Sequence, residues 1–180
     1  MKKKWFILIG VVVIIIAIIF LLTKREKNIN IYEFPDTIVV ENYTTQKNAD
    51  IYSKIILNKI YKYDTIKLDI FYLNKDLSTT EYDIAGFIQQ NPFESHTYII
   101  FIKKGNLPVS IKYFLSHELI HLHQMEIGDL IQIPNDSMVI YKGDSIDFHH
   151  VPYKERPFEI DALNTQNDIL KKLNHLLYSK

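Results

Sequence analysis

The spacing of apolar residues changes several times along this 180-residue chain, and each change marks an element. Trp5 to Leu22 is apolar throughout, with Gly10 its one weak helix former and no charge inside it. A helix crossing a hydrocarbon core needs roughly 20 such residues, so a transmembrane anchor is predicted over 5–22, after a short tail at 1–4. Residues 23–30 are polar and charged and read as a tether to a domain spanning 31–180. There the spacing turns to that of strands. Thr37-Ile38-Val39-Val40 is wholly β-branched and follows the turn signal Phe34-Pro35-Asp36. Ile51, Ile55, Ile56 and Ile60 then recur at helical intervals, predicting an amphipathic helix from about Thr45 to Tyr61. Ile66 to Tyr72 alternates as a strand does. Tyr82 to Gln89 is a weaker strand, broken by Gly86, and Thr97 to Ile102 a stronger one.

A second helix is predicted from about Pro108, tolerated in a first turn because it lacks only an N–H that the helix does not use, to Glu126, with Gly128 as its stop. Met138-Val139-Ile140-Tyr141 followed by Lys142-Gly143-Asp144 reads as a short hairpin. A long closing helix opens near Pro157, with Ile160, Leu163, Leu170, Leu173 and Leu177 on one face. Strands and a helix, then a central helix, an excursion and a final helix predict an α+β fold with a small mixed or antiparallel sheet.

The central helix carries the chemistry. His117-Glu118-Leu119-Ile120-His121 places its histidines four residues apart, on one face and one turn from each other, where they can share one zinc ion. Glu118 follows His117 by about 100° of rotation, within reach of a water on the same metal. The plainer reading is a packing helix that happens to hold histidines. Against it, the motif is flanked by Phe114, Leu115 and Leu122, so its polar groups should be buried, where they need partners or a metal. A catalytic zinc takes three protein ligands. His123, Glu126, His149, His150, Glu155 and Glu159 are the candidates for the third. His123 is rotated about 200° from His121 and Glu126 drifts off the face. Glu159 lies just inside the helix that Pro157 opens, and Ala162 one turn on lets two helices approach closely. An acid in a first helical turn also has a bland role against the helix dipole. Tyr153, His149 and His150, in the loop before Glu159, are candidate donors to an oxyanion, or simply packing and solvated loop.

Composition removes other classes. Without cysteine there are no disulfides, thiolate metal sites or lipoprotein anchor, and a formal net charge of zero gives no basic patch for nucleic acid. The apolar run could begin a cleaved signal peptide, but its exit, Ile18-Ile19-Phe20-Leu21-Leu22-Thr23, has no small-x-small site. Lys2, Lys3 and Lys4 nearly balance Lys24, Arg25 and Lys27 across the run. A short basic tail usually stays in the cytoplasm, so the expectation is a single-pass cell-membrane protein with an extracytoplasmic domain.

His117-Glu118-Leu119-Ile120-His121 with a later helix bearing Glu155-Arg156-Pro157-Phe158-Glu159-Ile160-Asp161-Ala162 resembles the gluzincin-type zinc metallopeptidases, in a small single-domain form. The resemblance covers about Leu107 to Leu173. It implies a zincin-like domain, His117, His121 and Glu159 as ligands of one zinc, Glu118 as general base, and a peptide or protein substrate. A metzincin would carry glycine and histidine where this chain has Gln124 and Ile127. The thermolysin-like pattern has an acid four residues after the ligand glutamate, where this chain has Leu163, which leaves the group that orients a histidine unassigned. By the same analogy substrate would lie along Thr97–Ile102 as an edge strand. The alternative is a zincin-like domain kept for binding or scaffolding rather than catalysis.

Overall fold

Alternation and helical spacing become elements close to the positions where the sequence puts them. The computed structural model describes residues 32–73, 85–104, 107, 109–134 and 136–179. The tail, anchor and tether lie outside these; among the described residues no helix is long and apolar enough to cross a membrane. Strand β1 (Ile38–Asn42) leads to helix α1 (Ala49–Lys54), which continues as a π-helical stretch over Ile55–Ile60. Strands β2 (Ile66–Leu73), β3 (Gly86–Gln90) and β4 (Thr97–Lys103) precede helix α2 (Ile111–Glu126). After it come β5 (Leu130–Gln132), β6 (Met138–Tyr141), β7 (Asp144–Asp147), a 3-10 turn at Tyr153–Glu155 and helix α3 (Pro157–Tyr178). The described chain is therefore α+β, with Phe34–Leu176 forming one compact unit.

Two sheets form rather than the one expected. The larger has the order β1-β2-β4-β3, and β5, β6 and β7 make a small antiparallel one. Strands β1, β2 and β4 are parallel, and β3 runs antiparallel along β4. Period-two alternation sends Ile38, Val40, Ile66, Leu68, Ile70, Ile100 and Ile102 to one buried face, with Ile55, Ile56, Leu57, Leu115 and Leu119 of the helices also fully buried. Thr97–Ile102 is thus an inner strand, not the edge strand expected by analogy. The turn after Gln90 folds β3 back onto β4, and β3 takes the outer position.

Gly86 opens β3 instead of breaking it. A Cβ there would lie 2.1 Å from the carbonyl oxygen of Phe101 and 2.8 Å from the ring of Phe114. Glycine is what lets β3, β4 and α2 come this close. Tyr82, Asp83 and Ile84 of the expected strand lie outside the described residues.

Helix α2 starts at Ile111, later than the expected Pro108, which is itself outside the described residues. Ser110 caps it, its hydroxyl accepting the N–H of Tyr113 at 3.3 Å. Gly128, at φ 78°, ends it by donating to the carbonyl of Met125 at 3.1 Å. One side of α2 is tied down by polar contacts. His123 stacks on Tyr61 with centroids 4.2 Å apart, and its Nδ1 lies 2.7 Å from the Tyr63 hydroxyl. Glu126 accepts from Tyr98 at 2.7 Å and from His96 at 2.9 Å. These contacts fix the roll of the helix and so aim the opposite side, with His117, Glu118 and His121, at the next element.

The hairpin β6–β7 turns through Lys142 (φ 49°) and Gly143 (φ 92°), the two left-handed positions of a type I′ turn. On α3 the buried stripe is Phe158, Glu159, Ala162, Gln166, Ile169 and Leu173, while Ile160 and Leu163 are each 40% exposed. The apolar face expected through Ile160 and Leu163 is therefore rotated. Two polar residues sit in the buried stripe because each has a partner there. Gln166 donates to the carbonyl of Tyr113 at 2.7 Å; Glu159 meets the histidines of α2.

Candidate metal centre

Helix α2 presents His117 and His121 one turn apart, and the first turn of α3 brings Glu159 against both. His117 Nε2 and Glu159 Oε2 are 3.1 Å apart, His121 Nε2 and Glu159 Oε2 3.2 Å, and the two Nε2 atoms 3.2 Å. Ligands on a tetrahedral ion with bonds of about 2.0–2.1 Å stand roughly 3.3 Å from one another. This triangle fits that spacing, and all three residues are buried. The group could hold a metal ion.

Gln124 fixes the form of His121 that a metal needs. Its Nε2 donates to the carbonyl of Phe158 at 3.1 Å, so its Oε1 is the atom 2.8 Å from His121 Nδ1. That oxygen can only accept, which keeps a proton on Nδ1 and makes Nε2, facing Glu159 and His117, the nitrogen that can take a metal in place of a proton. The orienting group left open by the sequence is thus Gln124, on α2 itself. Asp161, the nearest acid to Glu159 on α3, instead takes the Tyr141 hydroxyl and, at 2.8 Å, the Lys142 ammonium.

The electrostatics are those of a site short of positive charge. Burial opposes ionisation of Glu159, but hydrogen bonds and charge from His117 and His121 hold its carboxyl well below the usual range. Burial alone would lower His121, yet the bond to and charge of Glu159 raise it to about 9. Burial lifts Glu118 to about 7, against opposing pulls from His121, His117 and the nearby N–H of Ile88. Two buried carboxylates facing two imidazoles cost several kcal/mol unless a proton or a cation joins them.

Tyr153 also reaches the centre. Its hydroxyl is 3.2 Å from His117 Nε2, and burial together with the Glu159 charge keeps it a neutral phenol. Arg156, to which the sequence alone gives no role, braces this loop. It donates to the carbonyls of Val151 at 3.0 Å and Phe148 at 2.7 Å and lies over the rings of Phe148 and Tyr153. The other candidates sit elsewhere. His150 bonds Asp147 at 2.7 Å and is exposed, as are His149 and Glu155, and His123 and Glu126 lie on the far side of α2. A chain segment rich in hydrogen-bonding side chains offers several candidates; only the path of the 148–153 loop selects Tyr153 over its histidine neighbours.

A cavity of about 550 Å³ opens onto the centre. His117, Glu118, His121, Glu159 and Tyr153 form its polar part, and Phe87, Val109, Phe114, Leu130, Val139 and Phe148 are among its apolar walls. A buried donor triangle, a carboxylate beside it and an apolar cleft can place a carbonyl next to a metal and a base. No family model matches this chain, and neither do curated proteins or solved structures.

Proposed function

We propose that this chain is a zinc-dependent peptidase of the small gluzincin type, with His117, His121 and Glu159 holding one zinc ion and residues 5–22 anchoring it in the cell membrane, its domain outside the cytoplasm. The observation that carries this reading is the convergence of two imidazole nitrogens and one carboxylate oxygen, 3.1–3.2 Å apart, from two helices on one cavity. Nitrogen and oxygen donors in a tetrahedral spacing suit zinc better than magnesium or calcium, which favour all-oxygen shells.

Zinc held by His117, His121 and Glu159 would supply a Lewis acid able to polarise a peptide carbonyl and to acidify a water towards neutral pH. Glu118 takes the proton of that water as it attacks, then returns it to the departing amine. Its place beside His117 and His121, on the wall of the same cavity, puts it within reach of both proton positions. Tyr153, a neutral phenol at the centre, donates its hydroxyl hydrogen bond to the carbonyl oxygen as charge develops there. Gln124 keeps His121 in its ligand form throughout.

The test is made on the full chain in detergent, with Glu118→Gln alongside. Wild type should bind one zinc and cut a mixture of unstructured peptides. The variant should bind zinc equally while hydrolysis falls by about 10²–10⁴-fold. Zinc bound but equal hydrolysis in both proteins would remove Glu118 from the reaction. No zinc in the wild type would remove the enzyme assignment, and zinc without hydrolysis in the wild type would leave a binding or scaffolding domain.

A further inference from the structure

Strand β3 turns one set of its main-chain groups towards β4 and the other towards open space. Lys103 donates to the carbonyl of Ala85 and Asn91 to that of Thr97, each at 2.8 Å, so the odd-numbered residues pair with β4. The alternate residues, Gly86, Ile88 and Gln90, therefore direct their N–H and C=O groups to the free edge. Two side chains meet that edge. Glu118 stands beside Ile88 on the wall of the cavity, with the Ile88 N–H acting on its carboxylate. Gln132, the last residue of β5, accepts the N–H of Gln90 through Oε1 at 3.1 Å and donates from Nε2 to the carbonyl of Ile88 at 3.1 Å.

A side-chain amide bonded in this way offers the same N–H and C=O that an added strand would present to those two positions. Among the described residues nothing pairs with the outward groups of Gly86. Gly86 and Gln132 both line the metal cavity, one on each side of the point where Glu118 meets β3.

We propose that Gln132 is a specificity-determining residue that fills the β3 edge on the Gln90 side of Glu118, so that a peptide pairs its main chain with β3 only on the Gly86 side. The proposal rests on the peptidase reading and adds a substrate class to it: peptides held in extended form on one side of the cut bond. Residues on the other side meet the wall that Leu130, Gln132 and Val139 build from the small sheet.

The experiment compares zinc-loaded full-length wild type with Gln132→Ala by amide hydrogen exchange and by cleavage of peptides of mixed sequence, lengthened at one end or the other. Exchange at the Gln90 amide should accelerate about tenfold or more in the variant, since its acceptor is gone. Gln132→Glu, which keeps the accepting oxygen, should retain protection and shows that the alanine protein has lost a bond rather than its fold. In wild type, kcat/KM should rise about tenfold on extension at one end and stay flat at the other; in Gln132→Ala it should rise at both. Equal Gln90 exchange, a two-sided length dependence in wild type, or a one-sided one that persists in the variant overturns the proposal. Absence of cleavage by any of these zinc-loaded proteins overturns the peptidase reading and the substrate half of the proposal with it, while the exchange result alone decides whether Gln132 holds the edge.

Discussion

Gln124 shows how much of this centre depends on an uncharged side chain. Its amide is oriented by the Phe158 carbonyl, and through that orientation it sets the tautomer of His121. Partners of this kind typically account for 10–100-fold in metal affinity. Gln124→Ala should therefore weaken zinc binding by about that factor, read by competition with a coloured chelator, while the helix stays formed. Gln124→Glu keeps an acceptor for His121 and should lose less. Equal affinity in Gln124→Ala would mean that the imidazole is oriented without it. Nothing in the letters singles out Gln124. A glutamine on a buried helix face fits packing, capping and hydrogen bonding equally well, and its role appears only once Phe158 of α3 lies across it. Glu118, His117 and His121 differ in this respect, because their spacing alone puts them on one turn.

Strand β3 and helix α2 set the width of the cleft, and Gly86 sets their distance. With Phe101 carbonyl oxygen and the Phe114 ring closing on the missing Cβ, even a methyl group forces the strand to shift. Gly86→Ala is expected to cost about 1–3 kcal/mol, the range for overpacking, measured as a lower urea midpoint. An unchanged midpoint would show that the strand is not held against Phe114. The glycine also reads ambiguously in sequence. Inside a weak strand it marks either an interruption or a close approach, and the ring of Phe114, which decides between them, belongs to a helix beyond the intervening strand β4. The small sheet is a further case. Lys142-Gly143 announces its hairpin locally, whereas β5 is three residues long and gains its place only by pairing with β6.

The charges of the centre couple it to the stability of the fold. Glu118 and His121 have folded pKa values of about 7 and about 9, both above their ordinary values of 4.5 and 6.5. A raised value means stability that is fully present below the ordinary pKa and lost as pH rises through the folded one. Glu159, held low, contributes above its ordinary 4.5 and loses that contribution as pH falls below it. Metal-free protein should therefore lose thermal stability as pH rises from about 4.5 to 9, through Glu118 up to about 7 and through His121 from 6.5 to 9, as well as in acid below 4.5. A divalent cation held by these groups would take the place of those protons, so the alkaline loss should vanish in excess zinc. Free zinc at about 1,000 times its Kd adds roughly 4 kcal/mol. Thermal unfolding at pH 6, 7.5 and 9, with chelator and with zinc, checks this; a flat profile in chelator, or no zinc effect, contradicts it. The α+β class, the main strands, the hairpin, the central helix and the pairing of His117 with His121 were all legible in the chain, because helical and strand periods are local and fix which neighbours share a face. Glu159 could be named as a candidate but not placed: it stands 42 residues from His117, and only the packing of α3 on α2 brings the carboxylate to the imidazoles. Which strand forms the edge, which residue of the 148–153 loop reaches His117 and which glutamine orients His121 were decided by tertiary packing, since contacts between distant segments depend on how elements stack and leave no periodic trace in the letters.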